Sequence, residues 1–176
     1  MRVVGRIAVG PLLVRAVAFG AGLTALVLTV PAWLLNPRFV AVLAALALMS
    51  AVVPATAWVS VLEYFAVVVW LVTTTVFGDH ITAARILGLA TAVYLHHSAC
   101  TLAAVMPVDA VVAPRVLAGW VLRTGTVMAG SVSAGLLLLS LPGLVGRSST
   151  VVVPLVGLAA LVVAGLGLVR LARRPR

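Results

Sequence analysis

Four stretches of this chain, residues 12–35, 86–106, 116–141 and 151–171, are each long and apolar enough to cross a bilayer as a helix, which takes about 20 mainly apolar residues. Between them, residues 39–77 form a fifth apolar run of 39 residues. As one helix that run would measure about 58 Å at 1.5 Å per residue, twice the hydrocarbon thickness. It therefore has to fold back on itself. Pro54 lies near its centre and suits the first turn of a helix. The sequence predicts a tight turn at about residues 53–57 between helices at about 37–53 and 55–77. The first of these two is short.

Composition closes off a water-soluble fold. Hydrophobic residues make up 64% of the 176, and only 9% are charged. Soluble domains run nearer about 45–50% apolar and about 25% charged. A soluble chain of this size leaves much of its surface in water and could not hide so much apolar area. The expected fold is all-α, a single polytopic transmembrane helix bundle over residues 1–176 with no room for a separate soluble domain. The expected location is the plasma (cytoplasmic) membrane, crossed several times.

Helix number and orientation are read from the arginines. The net charge is +9, carried by 12 basic residues that are all Arg. In a soluble protein this would suggest nucleic acid. Here the arginines sit singly or in short clusters between apolar runs, as topology signals do, and no nucleic-acid partner is expected. Six helices with both termini in the cytoplasm put Arg2, Arg6, Arg15, Arg115, Arg123, Arg170, Arg173, Arg174 and Arg176 inside, and Arg38, Arg85 and Arg147 outside. Five helices would send the two Arg-rich termini to opposite faces. Four would demote several segments to half-spans or interfacial helices. Trp33 falls near the outer interface, and Trp58 and Trp120 near the inner one, where indoles collect; Trp70 does not fit that belt. A cleaved signal peptide is the rival for the first helix: Arg2 and Arg6 form a basic start and Val30-Pro31-Ala32 offers small residues. The apolar run is longer than such peptides carry and Arg15 interrupts it, so a retained helix is expected. The basic tail from Arg170 to Arg176 reads as a topology anchor or as a contact for anionic headgroups.

Ionisable groups at membrane depth are costly and serve as functional candidates by default. Glu63 is the only Glu. It is expected about two turns into the third helix, where it must be protonated, paired or hydrated. Arg123 and His97 are the two partners at a compatible depth. With Arg123 it would form a structural clamp, and with His97 a proton relay. An alternative places residues 114–123 in an interfacial helix with Trp120 among the headgroups, and then Arg123 never enters the membrane. His96 and His97 stand mid-helix about 100° apart, so both cannot readily bind one metal. Cys100 shares a face with one or both of them. A hydrogen-bonding role between helices is expected for this stripe, and no metal or cofactor. The lone Cys100 permits no intrachain disulfide. Asp79 and His80 read as a polar outer turn, and Asp109 as a loop residue able to pair with Arg115. Thr73, Thr74 and Thr75 can bond back to their own helix and bend it. Small residues four apart at Ala18/Gly22, Ser131/Gly135 and Ala160/Ala164 favour close helix packing.

No phosphate-binding loop, nucleophile elbow, His-Glu-x-x-His or nucleotide fingerprint is present. The chain is therefore expected not to be an enzyme. Two function classes come first: a non-catalytic accessory or assembly component of a membrane or cell-envelope complex, and a small carrier or proton conduit built on Glu63, His96 and His97. A membrane enzyme or haem protein is a third, remoter class. Expected partners are the lipid bilayer and a membrane protein or a second copy of the chain.

The arginine-only basic set with abundant Ala, Val, Leu and Gly matches the coding bias of a GC-rich genome. The segments Trp70-Leu-Val-Thr-Thr-Thr-Val-Phe-Gly78, Tyr94-Leu-His-His-Ser-Ala, Met106-Pro-Val-Asp-Ala110 and Trp120-Val-Leu-Arg123 resemble a group of small, uncharacterised actinobacterial integral membrane proteins. The likeness covers residues 39–140. Such proteins tend to be encoded near MoxR-type ATPases and their membrane partners. The resemblance implies an accessory role in envelope assembly and assigns no catalytic residue.

Overall fold

The computed structural model describes residues 8–78 and 82–140. The chain divides into two units, Met1–Val132 and Ser133–Arg176. Among the described residues it is all-helical: α1 Val9–Thr29, α2 Pro37–Val52, α3 Trp58–Thr75, α4 Ala83–Ala104 and α5 Pro114–Ser140. Of the second unit only the end of α5 is described. A sixth helix, expected at residues 151–171, lies outside the described residues, as do Arg2, Arg6, Arg147 and the tail arginines.

Helices α1, α3 and α4 have 21, 18 and 22 residues and are apolar enough to cross a membrane, and α2 is a shorter apolar helix. Their outward faces carry large apolar side chains, such as Leu12, Val42 and Val68, each more than half exposed. A soluble domain does not present apolar surface on this scale. The chain has the make-up of a membrane protein.

Proline and polar caps set the helix ends. α1 stops at Val30-Pro31, where Val30 is already extended, as a residue before proline prefers. A short 3-10 turn at Ala32–Leu34 follows. Asn36 then caps α2, its side chain accepting from the Phe39 amide at 3.0 Å, with Pro37 opening the helix. Residues 39–77 do break into two helices. α2 ends at Val52 because Pro54 pushes Val53 out of helical geometry. α3 starts at Trp58, later than residue 55 as the sequence suggested. Thr56 is the reason: its amide and hydroxyl both bond to the Val53 carbonyl and hold 53–57 as a turn. Gly78, at φ +63°, takes the left-handed conformation that leads the chain away from α3. Thr82 caps α4 through the Arg85 amide.

α1 is the hub, packed against α4, α2 and α3. Its buried positions Pro11, Val14, Ala18, Ala21, Gly22, Ala25, Leu26 and Thr29 recur every three or four residues. Most of them are small. They face an equally small stripe on α4 that includes Ala92, Ala99, Cys100 and Ala103. Small residues let the two backbones approach closely, so the Ala18/Gly22 pair lies in the main seam of the bundle.

Contacts at the helix ends establish that α1 to α4 run alternately up and down. At one end Trp33 meets Phe77 edge to face at 6.2 Å, and the Thr73 hydroxyl of α3 donates to the Thr29 carbonyl of α1. At the other, the Ala8 amide donates to the Val108 carbonyl, tying the start of α1 to the turn after α4.

Candidate functional site

Neither α1 nor α2 carries a basic residue in its last turn. Final-turn carbonyls have no partner within their own helix, and in a bilayer they cannot be left bare. Here neighbouring helices supply the donors. Arg15 of α1 reaches the Ala51 and Val52 carbonyls at 3.2 and 2.7 Å through Nη1 and closes the end of α2. Arg85 of α4 donates through Nε to the Leu28 carbonyl at 2.8 Å, and Thr73 covers Thr29 next to it. A cation at a helix C-terminus is also favoured by the helix dipole. These arginines, which the sequence offers only as topology signals, also lock the bundle at both ends.

A second polar group lies at the α1–α4 seam. His96 is fully buried. Its Nδ1 lies 2.9 Å from the Ala18 carbonyl, and because a carbonyl only accepts, Nδ1 carries the proton. Gly22 leaves the space for the ring. One turn on, the buried Cys100 sulfur lies 3.7 Å from His96 Nε2 and donates to the Ser50 carbonyl of α2 at 3.7 Å. Ser50 in turn donates to the Ala47 carbonyl. This chain of contacts joins α1, α4 and α2.

His97 points elsewhere. Its Nδ1 meets Glu63 Oε1 on α3 at 3.0 Å. The pair sits on the outer surface of the bundle, with the His97 side chain 58% and that of Glu63 21% exposed. It stands at one end of a groove of about 570 Å³ between α3 and α4. Glu63, Val67 and Trp70 line one wall, at the four- and three-residue steps of one helix face. Ile86, Leu89, Ala90, Val93, Tyr94 and His97 line the other. The indole N–H of Trp70 is buried without a hydrogen-bond partner among the described residues.

The expected Glu63, His96 and His97 cluster is therefore two sites. Adjacent helix positions differ by about 100°, which turns His96 to α1 and His97 to α3. Of the two partners anticipated for Glu63, the structure pairs it with His97. Arg123 is exposed on α5 and forms no ion pair with Glu63. The interfacial-helix alternative for residues 114–123 meets a continuous α5 of 27 residues, with Arg123 nine residues from its start. Asp109 is exposed in the turn at 107–110 and does not pair with Arg115. Asp79 and His80 lie outside the described residues. Among the described residues no three His, Cys, Asp or Glu side chains gather where they could hold a metal.

Within the His-Ser-Cys-Thr stripe, expected to bond between helices, Ser98 does so. Its hydroxyl accepts from the Trp120 indole at 2.9 Å and lies 3.1 Å from the Thr124 hydroxyl, which pins α5 to α4. Trp120 is thus a packing residue as well as an aromatic near a helix start. No family model, curated protein or solved structure matches this chain.

Proposed function

We propose that this chain is a non-catalytic assembly component of a membrane or cell-envelope complex, docking through the α3–α4 face. One observation carries the reading. The sole carboxylate–imidazole pair among the described helices, 3.0 Å across, joins the outer sides of α3 and α4, two helices long and apolar enough to cross a membrane. Three buried polar side chains instead hold helices together: His96 on Ala18, Cys100 on Ser50, Thr73 on Thr29. An outward polar pair in a bilayer is expensive unless something covers it. The reading takes the chain as multi-pass in the cytoplasmic membrane, six helices in all. The α1 start, with Arg15 and Arg115 at that end, faces the cytoplasm under the positive-inside bias, and so does the C-terminus.

Gentle-detergent capture of the tagged chain from its native membrane, read by mass spectrometry, tests this. A partner polypeptide in stoichiometric amount is expected, and Glu63→Leu should release it while leaving the chain folded. Recovery of the monomeric chain alone, at good yield, would overturn the reading.

A carrier or proton conduit is the second reading, favoured by the same 3.0 Å contact, since an imidazole and a carboxylate at that distance can exchange a proton. It is the weaker one. His96 is turned away onto a backbone carbonyl, and the groove beyond Glu63 and His97 is lined by Val67, Ile86, Leu89 and Val93. Proton flux into liposomes that is abolished by Glu63→Gln would reverse this order.

A further inference from the structure

The hydrogen bond between α4 and α5 fixes the depth of an exposed cation. Ser98 and Thr124 touch at 3.1 Å, so they lie at one level in the bundle. His97 precedes Ser98 and Arg123 precedes Thr124 on helices that run in opposite directions, so the two steps separate them by only about 3 Å along the bundle, less than one turn. Arg123 therefore stands nearly level with His97, and with the Glu63 carboxylate bonded to it. His97 and Arg123 are exposed and Glu63 is partly buried beside His97. Trp120 and Thr124 occupy the face of α5 turned to α4, and Arg123, three residues after Trp120, flanks that contact and is exposed.

Within one copy the guanidinium and the carboxylate do not meet, and among the described residues Arg123 has neither a hydrogen bond nor an ion pair. A lipid-exposed guanidinium costs several kcal/mol and a carboxylate–imidazole pair open to lipid is also unfavourable. Both costs fall if the two groups meet across an interface, where charge-assisted bonds in low dielectric are strong. We infer that a second copy of this chain, lying side by side in the same orientation, covers this face. Its Arg123 then meets the Glu63–His97 pair of the first. Any rotation axis along the membrane normal keeps every residue at its own depth. Side-by-side copies thus bring Arg123 and Glu63 together at one level with no sliding of helices. The inference rests on the assembly reading of the α3–α4 face and names its occupant.

The test uses the full-length chain in liposomes, donor- and acceptor-labelled copies being diluted into increasing lipid while energy transfer is read. Self-association is expected for the wild type. Arg123→Glu and Glu63→Arg, each alone, should weaken it by about threefold to tenfold, the range of one interhelical polar contact in a membrane. Mixing the two single variants should restore transfer between them, because each supplies the charge that the other lacks. Arg123→Gln and Glu63→Gln, with Cys100 still shielded from thiol reagents, separate loss of association from loss of fold. A wild type that stays monomeric at the highest density overturns the inference, as does association unmoved by either charge reversal. An Arg123 that only reaches up to headgroup phosphates would give that second result. Failure of the mixture to recover also overturns it. A foreign partner captured through Glu63 by a chain that remains monomeric would sink this inference and leave the assembly reading standing.

Discussion

The imidazole of His96 on α4 rests against the bare backbone of Gly22 on α1. A Cβ built on Gly22 would lie 2.7 Å from His96 Nδ1, 3.0 Å from its Cε1 and 3.2 Å from Leu62 Cδ1. The same Nδ1 donates to Ala18, one turn earlier on α1. Glycine is thus needed here for close approach, since the ring and the backbone of α1 share the space a methyl would fill.

Gly22→Ala should therefore destabilise the bundle by about 1–3 kcal/mol, the usual range for overpacking a core. Gly20, two positions earlier, has nothing within 4 Å of an added Cβ. Gly20→Ala should be neutral or gain up to about 1 kcal/mol from reduced backbone freedom. Thermal unfolding of both variants in one detergent checks the contrast. Equal midpoints would remove the His96–Gly22 contact from the account.

Arg15→Met keeps the apolar stem and removes the donor that covers the Ala51 and Val52 carbonyls. Opening the α2 end should cost about 1–3 kcal/mol, the loss of a charged hydrogen bond to backbone. Limited proteolysis should then cut faster in the turn at 53–57. Arg15→Lys should recover part of the protection, because one ammonium can reach a carbonyl but lacks the guanidinium fork.

Ser98→Ala removes the acceptor for Trp120 and the partner of Thr124 together. Two interhelical contacts at roughly 0.6 kcal/mol each predict a loss of about 1 kcal/mol. Trp120 fluorescence should shift as its indole N–H loses that bond. Thr124→Ala, which spares the indole bond, should leave the spectrum near wild type. The two variants giving the same spectrum would count against the assignment.

Cys100 is 1% exposed and is the only cysteine, so it reports on the α1–α4 seam at a single site. A maleimide should label the native protein slowly and the denatured protein fully. Labelling should speed up in Gly22→Ala and not in Gly20→Ala. Rapid labelling of the native wild type would contradict the buried placement between His96 and Ser50.

The amino-acid sequence by itself determined the class of fold and the positions of the helices. Apolar runs, Pro31 and Pro54, and the Asn36 and Thr82 caps act locally, through chain length, backbone geometry and the absence of water in a bilayer. The break in residues 39–77 was legible because a single helix of that length cannot fit. Only the tertiary structure decided which polar group meets which. Depth along a helix can be counted from residue numbers, but the rotation of one helix against its neighbours cannot, and rotation assigns His96 to Ala18, His97 to Glu63 and Ser98 to α5. The capping of α2 by Arg15 and of α1 by Arg85 has the same origin. Each joins residues more than 30 positions apart, and the unpaired carbonyls that attract the arginines exist only once the helices have ended side by side.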